Sequence, residues 1–369
     1  MRITAIRLER LVLPLDPPFS AAWDPEPRRS FEATLVRVET DEGLVGVGSG
    51  DTMDGFPRFE HLFVGRDPLD LERHVRALET ITFHAGRYWP LETALWDLAG
   101  QAQDRPVAAL LGGRAERVPA YASCGVRRGP AEQAEAALAR REEGFRALKI
   151  RIRAAALDDG LAAVTATREA VGDTMEIIVD LNEGWRMAGD VSPPIEASEA
   201  RRAAECLAEL GVLWLEEPLP AEDVEGHVHL RSVIRVAGGE MARTTAELEA
   251  LLAADALDVY QPDAVLAVGI LRARDLAERV LARGRWFAPH TWTNGIGVLA
   301  NLHLTAAVGG GPFLEFPYDP PAWSVERRDF MLAELLRVDA DGFVEVPDRP
   351  GLGVVLDEDA VARYRVPVG

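Results

Sequence analysis

The sequence is poor in cysteine and lacks long apolar runs. Its 369 residues include two cysteines, Cys124 and Cys206, which are too few for a disulfide framework or a zinc cluster. No stretch approaches the roughly 18 uninterrupted apolar residues of a transmembrane helix. The N-terminal segment alternates apolar with charged residues, which is typical of a strand and not of a signal peptide. We therefore expect a globular, cytoplasmic protein without a membrane partner.

Positive charge is also scarce, and lysine is almost absent. The chain has 60 acidic and 40 basic residues, a formal net charge of −20, and Lys149 is its only lysine. A field of this sign repels a phosphate backbone, so we expect no nucleic-acid partner. Arginine can replace an exposed lysine at little cost, but it cannot replace a compact, deprotonatable ammonium group. Lys149 is therefore a candidate functional residue, with chance survival as the alternative.

The chain does contain enough apolar residues, 48%, to bury a large core. Residues 1–117 show strand-like segments followed by helical periodicity, which predicts an α+β domain. The glycine-rich stretch 46–50 is similar to a dinucleotide-binding loop, but the residues after it cannot begin a helix, which argues against that function. Residues 319–369 combine proline-rich turns with short strands, and we expect them to pack back on the first domain.

Between these regions, short apolar runs alternate with amphipathic helical segments. Eight such runs and about seven helices fall within residues 118–318. This count is typical of a parallel α/β barrel. A doubly wound open sheet is the structural alternative.

Carboxylates stand at the ends of three successive predicted strands. They are Asp180, Glu216 and Glu240. Because the strand ends of such a barrel lie at one rim, about 4.8 Å apart, these side chains can converge on one hard cation, Mg²⁺ or alternatively Mn²⁺. Taken singly, each carboxylate is also compatible with a helix N-cap. Glu217, beside Glu216, is the weaker ligand candidate.

The other strand ends offer a base and two cations. Lys149 and Arg151 share one face of their strand, and two neighbouring later strands end in Asp263 and His290. A carboxylate that accepts from one imidazole nitrogen raises the basicity of the other, so His290 is a candidate general base. A cation together with Lys149 or Arg151 can bind a carboxylate and stabilise the enediolate formed when a base removes the adjacent proton.

The strand-end motifs occur in a specific order. They are Lys149-x-Arg151, Asp180-x-Asn182, Glu216-Glu217-Pro218, Gly239-Glu240, Gln261-Pro262-Asp263, Pro289-His290 and Leu314-Glu315. This order resembles the enolase superfamily, specifically its mandelate racemase subgroup, over essentially the whole chain. The resemblance implies an α/β fold in which a (β/α)7β TIM-type barrel, residues 118–318, lies under an α+β capping domain. Residues 1–117 form that capping domain, and residues 319–369 return to it.

The same resemblance implies roles for individual residues. Mg²⁺ ligands are implied at Asp180, Glu216 and Glu240, a general-base dyad at Asp263 and His290, and a hydrogen bond to the substrate from Glu315. Loops near residues 16–25 and 50–57 supply specificity in this family. Together with Asn182, they make Trp23, Asp51 and Asp54 candidate substrate-binding residues.

Arg151 departs from the family pattern. The racemase motif is Lys-x-Lys, and its second lysine is a base, whereas arginine, with a pKa of about 12 or more, is a poor one. Racemisation needs an acid or base on each face, so this change argues against it. A syn elimination needs only His290, with Lys149 and Arg151 as electrophiles.

The sequence therefore predicts Mg²⁺-dependent dehydration of a small carboxylate, an acid sugar, to a 2-keto-3-deoxy acid. The alternatives are a racemase or epimerase, a lactone cycloisomerase of the same superfamily, and a catalytically silent paralogue. We also expect a homo-oligomer, whose subunit number the sequence does not specify.

Overall fold

The computed structural model describes residues 1–50, 52–113 and 115–367. The N-terminal part pairs three antiparallel strands with helices that follow them. These elements are β1 (Ile3–Phe19), β2 (Arg28–Thr40), β3 (Val45–Gly50), α1 (Leu71–His84), α2 (Trp89–Ala102) and α3 (Val107–Leu110), with a 3₁₀ helix at Phe56–Leu62. The hairpin between β2 and β3 turns at Gly43, whose φ is 82°.

The glycines of β3 allow α2 to pack directly on the sheet. A β-carbon on Gly48 would lie 2.1 Å from the carbonyl oxygen of Pro90, and one on Gly46 would lie 2.2 Å from that of Ala94. No side chain fits at such distances. Close helix packing is therefore the physical reason for the glycine-rich stretch.

The central part alternates strands and helices as predicted. Within residues 115–367, which are described without a gap, it consists of β4 (Arg117–Ser123), α4 (Pro130–Glu142), β5 (Ala147–Arg151), α5 (Leu157–Val171), β6 (Glu176–Asp180), α6 (Ala197–Glu209), β7 (Leu215–Glu216), α7 (Val224–Leu230), β8 (Val236–Gly238), α8 (Thr245–Ala253), β9 (Val259–Tyr260), α9 (Gly269–Ala282), β10 (Trp286–Phe287), α10 (Gly295–Val308) and β11 (Leu314–Pro317). Each strand from β4 to β10 is parallel to the next, and β11 returns beside β4. A doubly wound sheet reverses its strand order midway, so this order confirms the barrel and excludes the open sheet.

A separate apolar cluster brings together side chains from many of the barrel strands. Its fully buried members include Tyr121, Ile178, Trp214 and Val259. A much larger apolar core includes the residues through which the helices pack on the strands. Both clusters are close-packed cores that stabilise the barrel, whereas catalytic groups in such a fold lie at the carboxyl ends of the strands.

The C-terminal tail contacts both other parts. Its elements are α11 (Val325–Arg328), β12 (Phe343–Glu345), α12 (Glu358–Tyr364) and β13 (Arg365–Val366). Strand β12 pairs with β4 of the barrel, and β13 pairs with β1. The predicted domain boundaries at residues 117 and 318 stay predictions, although β4 and β11 begin and end within one residue of them.

Hydrogen bonds hold the N-terminal part against the carboxyl ends of the barrel strands. Trp89 donates its indole N–H to the carbonyl of Ala267 at 2.6 Å, and Asn294 donates to the hydroxyl of Ser49 at 2.9 Å. The carboxylate of Glu92 accepts from the backbone N–H of Leu271, in the first turn of α9. The strand ends that carry the polar motifs are thus covered. Among the described residues, no helix has the length and apolar character needed to cross a membrane.

Candidate active site

Asp180, Glu216 and Glu240 converge as predicted. Asp180 ends β6 and lies in register with Glu216 at the end of β7. Glu240 follows β8 after Gly239, whose φ of 95° favours glycine. One oxygen from each carboxylate lies within 4.8 Å of the other two, and all three side chains are fully buried. The group has the spacing and the hard donors that a divalent cation prefers.

The electrostatics of this group also fit a cation. Burial raises the pKa of Asp180 to about 7, an effect that Arg151 opposes and Glu216 reinforces. Burial also raises the pKa of Glu240, and its Oε2 is buried without a hydrogen-bond partner in the described structure. A buried carboxylate oxygen without a partner is costly, and a divalent cation would satisfy it. The residues present therefore fit Mg²⁺.

Glu217 differs from its neighbour Glu216. Its φ of 43° takes the chain out of the strand. Burial, together with the charges of Glu240 and Asp180, raises the pKa of Glu217 well above its usual range. Among the described residues, the carboxylates that converge are those of Asp180, Glu216 and Glu240, and Glu217 is not one of them.

Lys149 is a buried counter-ion. Its Nζ contacts Glu216 in a short hydrogen bond, and lies 2.7 Å from Oε1 of Glu315 and 3.3 Å from Oδ2 of Asp180. Burial alone would lower the pKa of Lys149, but the charges of Glu216 and Glu315 outweigh burial and raise it. The reciprocal attraction lowers the pKa of Glu216 to about 2 despite its own burial. The single lysine is therefore held as an ammonium ion.

Arg151 is fixed in place by three acceptors. Its Nη1 donates to Oδ2 of Asp180 at 2.6 Å and to Oδ1 of Asn182 at 2.8 Å, and its Nε donates to the carbonyl of Cys124 at 3.1 Å. The guanidinium also lies 4.3 Å from the ring centre of Trp23. Burial opposes its charge, but Asp180 and Glu315 raise the pKa of Arg151. Arg151 is a permanent cation at the rim of the site.

His290 and Asp263 form the predicted dyad. The imidazole Nδ1 donates to Oδ2 of Asp263 at 2.9 Å, and Oδ1 of Asp263 accepts from the backbone N–H groups of Val265 and Leu266. The other nitrogen, Nε2, lies 3.7 Å from Oε1 of Glu240. Burial lowers the pKa of His290, but Glu240 and other carboxylates raise it to about 9. The hydrogen bond to Asp263 therefore fixes the orientation of the imidazole and leaves Nε2 facing Glu240.

Glu315 is held rigidly between two strand ends. Its Oε1 accepts from the hydroxyl of Ser123 and its Oε2 from the backbone N–H of Thr291, both at 2.7 Å. Burial would raise the pKa of Glu315, but Lys149 lowers it. Glu315 thus joins Lys149 in the charged network next to the three converging carboxylates.

The four predicted substrate-binding residues are placed differently. Trp23 and Asn182 lie at the site, where both contact Arg151. Asn182 keeps a buried side-chain N–H group without a partner among the described residues. Asp54 is exposed and does not line either cavity at this end of the barrel. Asp51 lies outside the described residues.

Two tryptophans were not singled out from the sequence. Trp185 donates its indole N–H to Oε1 of Glu240 at 2.6 Å, and Trp292 donates to the hydroxyl of Ser123 at 2.8 Å. Trp185 comes three residues after Asn182, and Trp292 two residues after His290. An aromatic residue shortly after a strand-end polar residue is the signal that could have identified them.

Family models match two parts of the chain. The model described as the mandelate racemase / muconate lactonizing enzyme N-terminal domain matches residues 10–112, and the model described as enolase C-terminal domain-like matches residues 131–360. The chain belongs to this family. The resemblance inferred from the strand-end motifs is thereby confirmed, and the protein is an enzyme of the enolase superfamily.

Relatives along the whole chain catalyse several reactions. A D-galactarolactone cycloisomerase from Agrobacterium fabrum is 30% identical over all of both chains. An L-talarate/galactarate dehydratase from Salmonella typhimurium is 29% identical over 97% of this chain and 90% of its own. The crystal structure of a racemase from Streptomyces coelicolor A3(2) with bound magnesium has a TM-score of 0.84 at 26% identity, covering 99% of this chain and 100% of its own.

Proposed function

We propose that this enzyme removes the proton α to the carboxylate of a small substrate and then expels the β-hydroxyl group, converting an acid sugar into a 2-keto-3-deoxy acid. Asp180, Glu216 and Glu240 would hold Mg²⁺, with Mn²⁺ as the alternative. When bound, the cation supplies Lewis-acid stabilisation of the charge that develops on the substrate carboxylate. The observation that carries the proposal is that His290 is placed to act as a base, whereas Arg151, at the motif position of the second base in racemases, is a cation fixed by hydrogen bonds.

His290 is the proposed base. Its Nδ1–H is donated to Asp263, and in the neutral imidazole the Nε2 lone pair can accept the substrate proton. Glu240 is the leading charge that raises the pKa of His290 to about 9 and is also a proposed metal ligand, so a cation bound there would lower that pKa toward neutrality. Once protonated, the same imidazole can return that proton to the departing hydroxide. Both transfers then take place on one face of the substrate, which defines a syn elimination.

Arg151 and Lys149 are the proposed electrophiles. Carboxylates raise the pKa of each despite its burial, which favours the charged form of both side chains. Each can instead stabilise the negative charge of the enolised substrate. Arg151 and Lys149 therefore do not supply the second base that racemisation requires.

Lactone cycloisomerisation is a second candidate. It also begins at a proton α to a carboxylate or lactone carbonyl and requires one base. The 30% identity to the cycloisomerase from Agrobacterium fabrum over the full length supports it. The dehydratase from Salmonella typhimurium, at 29%, supports dehydration to a similar degree.

Proton NMR in D₂O tests the proposal. The Mg²⁺-loaded enzyme is incubated with pooled aldonic acids, aldaric acids and their lactones. We expect the α-proton signal of one acid to disappear while 3-deoxy methylene signals appear. Loss of the α-proton signal without methylene signals would replace dehydration by isomerisation. No change with any acid or lactone would contradict α-proton chemistry on this substrate class.

A further inference from the structure

The chain turns sharply after Asp263, between β9 and α9. Residues 264–268 form this turn, and each of them is at most 8% exposed. Buried backbone outside helices and strands must find hydrogen-bond partners of its own. The partners of this turn therefore show what holds it in place.

The inner side of the turn is wrapped around Asp263. Oδ1 of Asp263 accepts from the backbone N–H groups of Val265 at 2.7 Å and Leu266 at 3.2 Å. The backbone carbonyl of Asp263 accepts from the N–H groups of Ala267 at 3.0 Å and Val268 at 3.4 Å. The other carboxylate oxygen, Oδ2, holds the imidazole of the proposed base. A shift of the turn would therefore rotate the carboxylate that orients this imidazole.

The outer side of the turn is held from two directions. On the barrel side, the amide group of Asn301, on α10, accepts from the backbone N–H of Ala264 and donates to Oδ1 of Asp263. On the other side, Trp89 of α2 donates its indole N–H to the carbonyl of Ala267 at 2.6 Å. Ala267 thus connects Trp89 to Asp263, because its own N–H group is donated to the Asp263 carbonyl.

Helix α2 also supplies an N-cap to α9. The residue before α9 is Val268, whose apolar side chain cannot accept a hydrogen bond from the first helical turn. Oε1 of Glu92 accepts instead from the backbone N–H of Leu271 at 2.8 Å. Gly269, with a φ of 81°, allows this approach, since a β-carbon there would overlap Oε2 of Glu92 and lie 2.7 Å from Cε3 of Trp89. The end of the turn and the start of α9 are therefore packed directly against α2.

We propose that Trp89 is a positioning residue for the dyad of Asp263 and His290. By holding the carbonyl of Ala267, Trp89 fixes the turn that orients the Asp263 carboxylate and, through that carboxylate, the imidazole. This inference rests on the proposed function for the role of His290 as the base. It makes the N-terminal part of the chain necessary for a correctly oriented base, in addition to covering the strand ends.

The Nδ1–H group of His290 tests the inference without a substrate. The Mg²⁺-loaded enzyme is labelled with ¹⁵N-histidine, and nuclear magnetic resonance measures the rate at which this proton exchanges with water. The variant His290→Asn identifies the signal. Trp89→Phe retains a buried ring but removes the donor, and we expect it to make this exchange about tenfold faster, the factor that corresponds to one net hydrogen bond. An unchanged rate would overturn the inference.

His303 distinguishes positioning from a general loss of structure. Its Nε2–H is donated to the carbonyl of Leu352, a contact that does not involve the turn. In Trp89→Phe the exchange rate of this proton should stay as it is in the wild type. An equal acceleration at His303 would show that the substitution loosens the fold as a whole, and would also overturn the inference.

Trp323→Phe is the matched control. Trp89 and Trp323 are each 2% exposed, and the indole N–H of Trp323 has no partner among the described residues. The two substitutions therefore remove the same ring volume, but Trp89→Phe also removes a hydrogen bond. The His290 signal should be unchanged in Trp323→Phe. The same acceleration in both variants would assign the effect to lost volume and contradict the positioning role.

Amide hydrogen exchange of the wild-type enzyme gives a check that requires no variant. The backbone N–H groups of Val265 and Leu266 should be protected as strongly as those in the middle of α10, because both are donated to a buried carboxylate. Rapid exchange of both groups, as in an exposed loop, would show that the turn is not fixed. The inference would then fail even if Trp89→Phe did not fold.

The positioning role and the proposed reaction can fail separately. With an acid that the wild type enolises, Trp89→Phe should lower the rate of α-proton loss in D₂O by about tenfold to a hundredfold and leave the Mg²⁺ affinity unchanged. Faster exchange at His290 in the variant, with no acid losing its α-proton in the wild type, would contradict the proposed function and leave the positioning role standing. An unchanged rate of α-proton loss in Trp89→Phe would overturn the positioning role and leave the proposed function standing.

Discussion

Trp185 donates a hydrogen bond to only one of the two carboxylate oxygens of Glu240. The indole N–H donates to Oε1 of Glu240 at 2.6 Å, while Oε2 of the same carboxylate is buried without a partner in the described structure. A hydrogen bond to one oxygen fixes the orientation of the carboxylate and leaves the other oxygen for a cation. Trp185, supplied by the loop after β6, is thus a positioning residue for a proposed metal ligand.

Trp185→Phe should weaken metal binding. The substitution retains an aromatic ring but removes the N–H donor, and loss of such an outer hydrogen bond typically costs about tenfold or more in metal affinity. Isothermal titration with Mg²⁺, or electron paramagnetic resonance with Mn²⁺, measures the change. Trp286→Phe, on β10 and outside the cavity lining, is the control. An affinity unchanged in Trp185→Phe would show that Glu240 needs no such support.

His290→Asn should abolish α-proton exchange and leave metal binding nearly intact. Removal of a general base typically lowers the rate by about two to four orders of magnitude, whereas the proposed metal ligands are not altered. The measurement is the rate of α-proton loss in D₂O, with Mg²⁺ affinity determined on the same preparation. Retained exchange would assign the base to another group, and Lys149→Met would then identify it.

Deuterium exchange should proceed without epimerisation. Because His290 is the only proposed base and Arg151 remains protonated, deuterium can return only to the face from which the proton left. Substrate recovered after partial turnover in D₂O should therefore keep its configuration at the α-carbon, as checked by chiral chromatography. The appearance of the epimer would identify a donor opposite His290 and restore the racemase alternative.

Acidification should destabilise the fold partly through His303. Its Nδ1 accepts from the backbone N–H of Ala108 and its Nε2 donates to the carbonyl of Leu352, which ties α3 and the tail to α10. Burial lowers the pKa of His303 to about 4, against about 6.5 in an unfolded chain. Between these values the unfolded chain binds the extra proton, so stability falls as the pH falls through this window, by up to about 3 kcal/mol.

Urea denaturation at about pH 7.5 and about pH 4.5 isolates this contribution. The variant His303→Gln should lose less stability between the two pH values than the wild type does. His61→Gln, at an exposed position, should follow the wild type. An identical loss in all three proteins would exclude His303 as the source.

The sequence predicted the barrel and the convergence of the charged residues because one rule governs both. Parallel strands bring their carboxyl ends to one rim, so Asp180, Glu216 and Glu240 could be placed together from the strand pattern alone. The dyad of Asp263 and His290 followed from the same rule. The contact between Lys149 and Glu315 did not follow from this rule. Their strands, β5 and β11, lie on either side of β4 only when the last strand returns beside the first. The sequence pattern also does not give the depth at which each side chain is buried.

Residues on irregular loops were harder to predict. Trp185 and Met187 lie between β6 and α6, where the chain follows no period, and their positions depend on tertiary contacts such as the hydrogen bond to Glu240. Trp23 was predicted from a loop expected to confer specificity, and it does contact Arg151. Asp54 came from the same kind of argument, but its carbonyl accepts from Tyr88 and its side chain is exposed.

The burial of Lys149 also makes the surface of this protein chemically unusual. Every other basic side chain apart from the histidines is an arginine, and the ε-amine of Lys149 is enclosed by carboxylates and fully inaccessible. Reagents that acylate amines, such as N-hydroxysuccinimide esters, therefore find no lysine to modify while the fold is intact. The α-amino group becomes the preferred site for attaching a fluorophore or a solid support. Acylation of Lys149 would then report unfolding, since only an opened barrel exposes it.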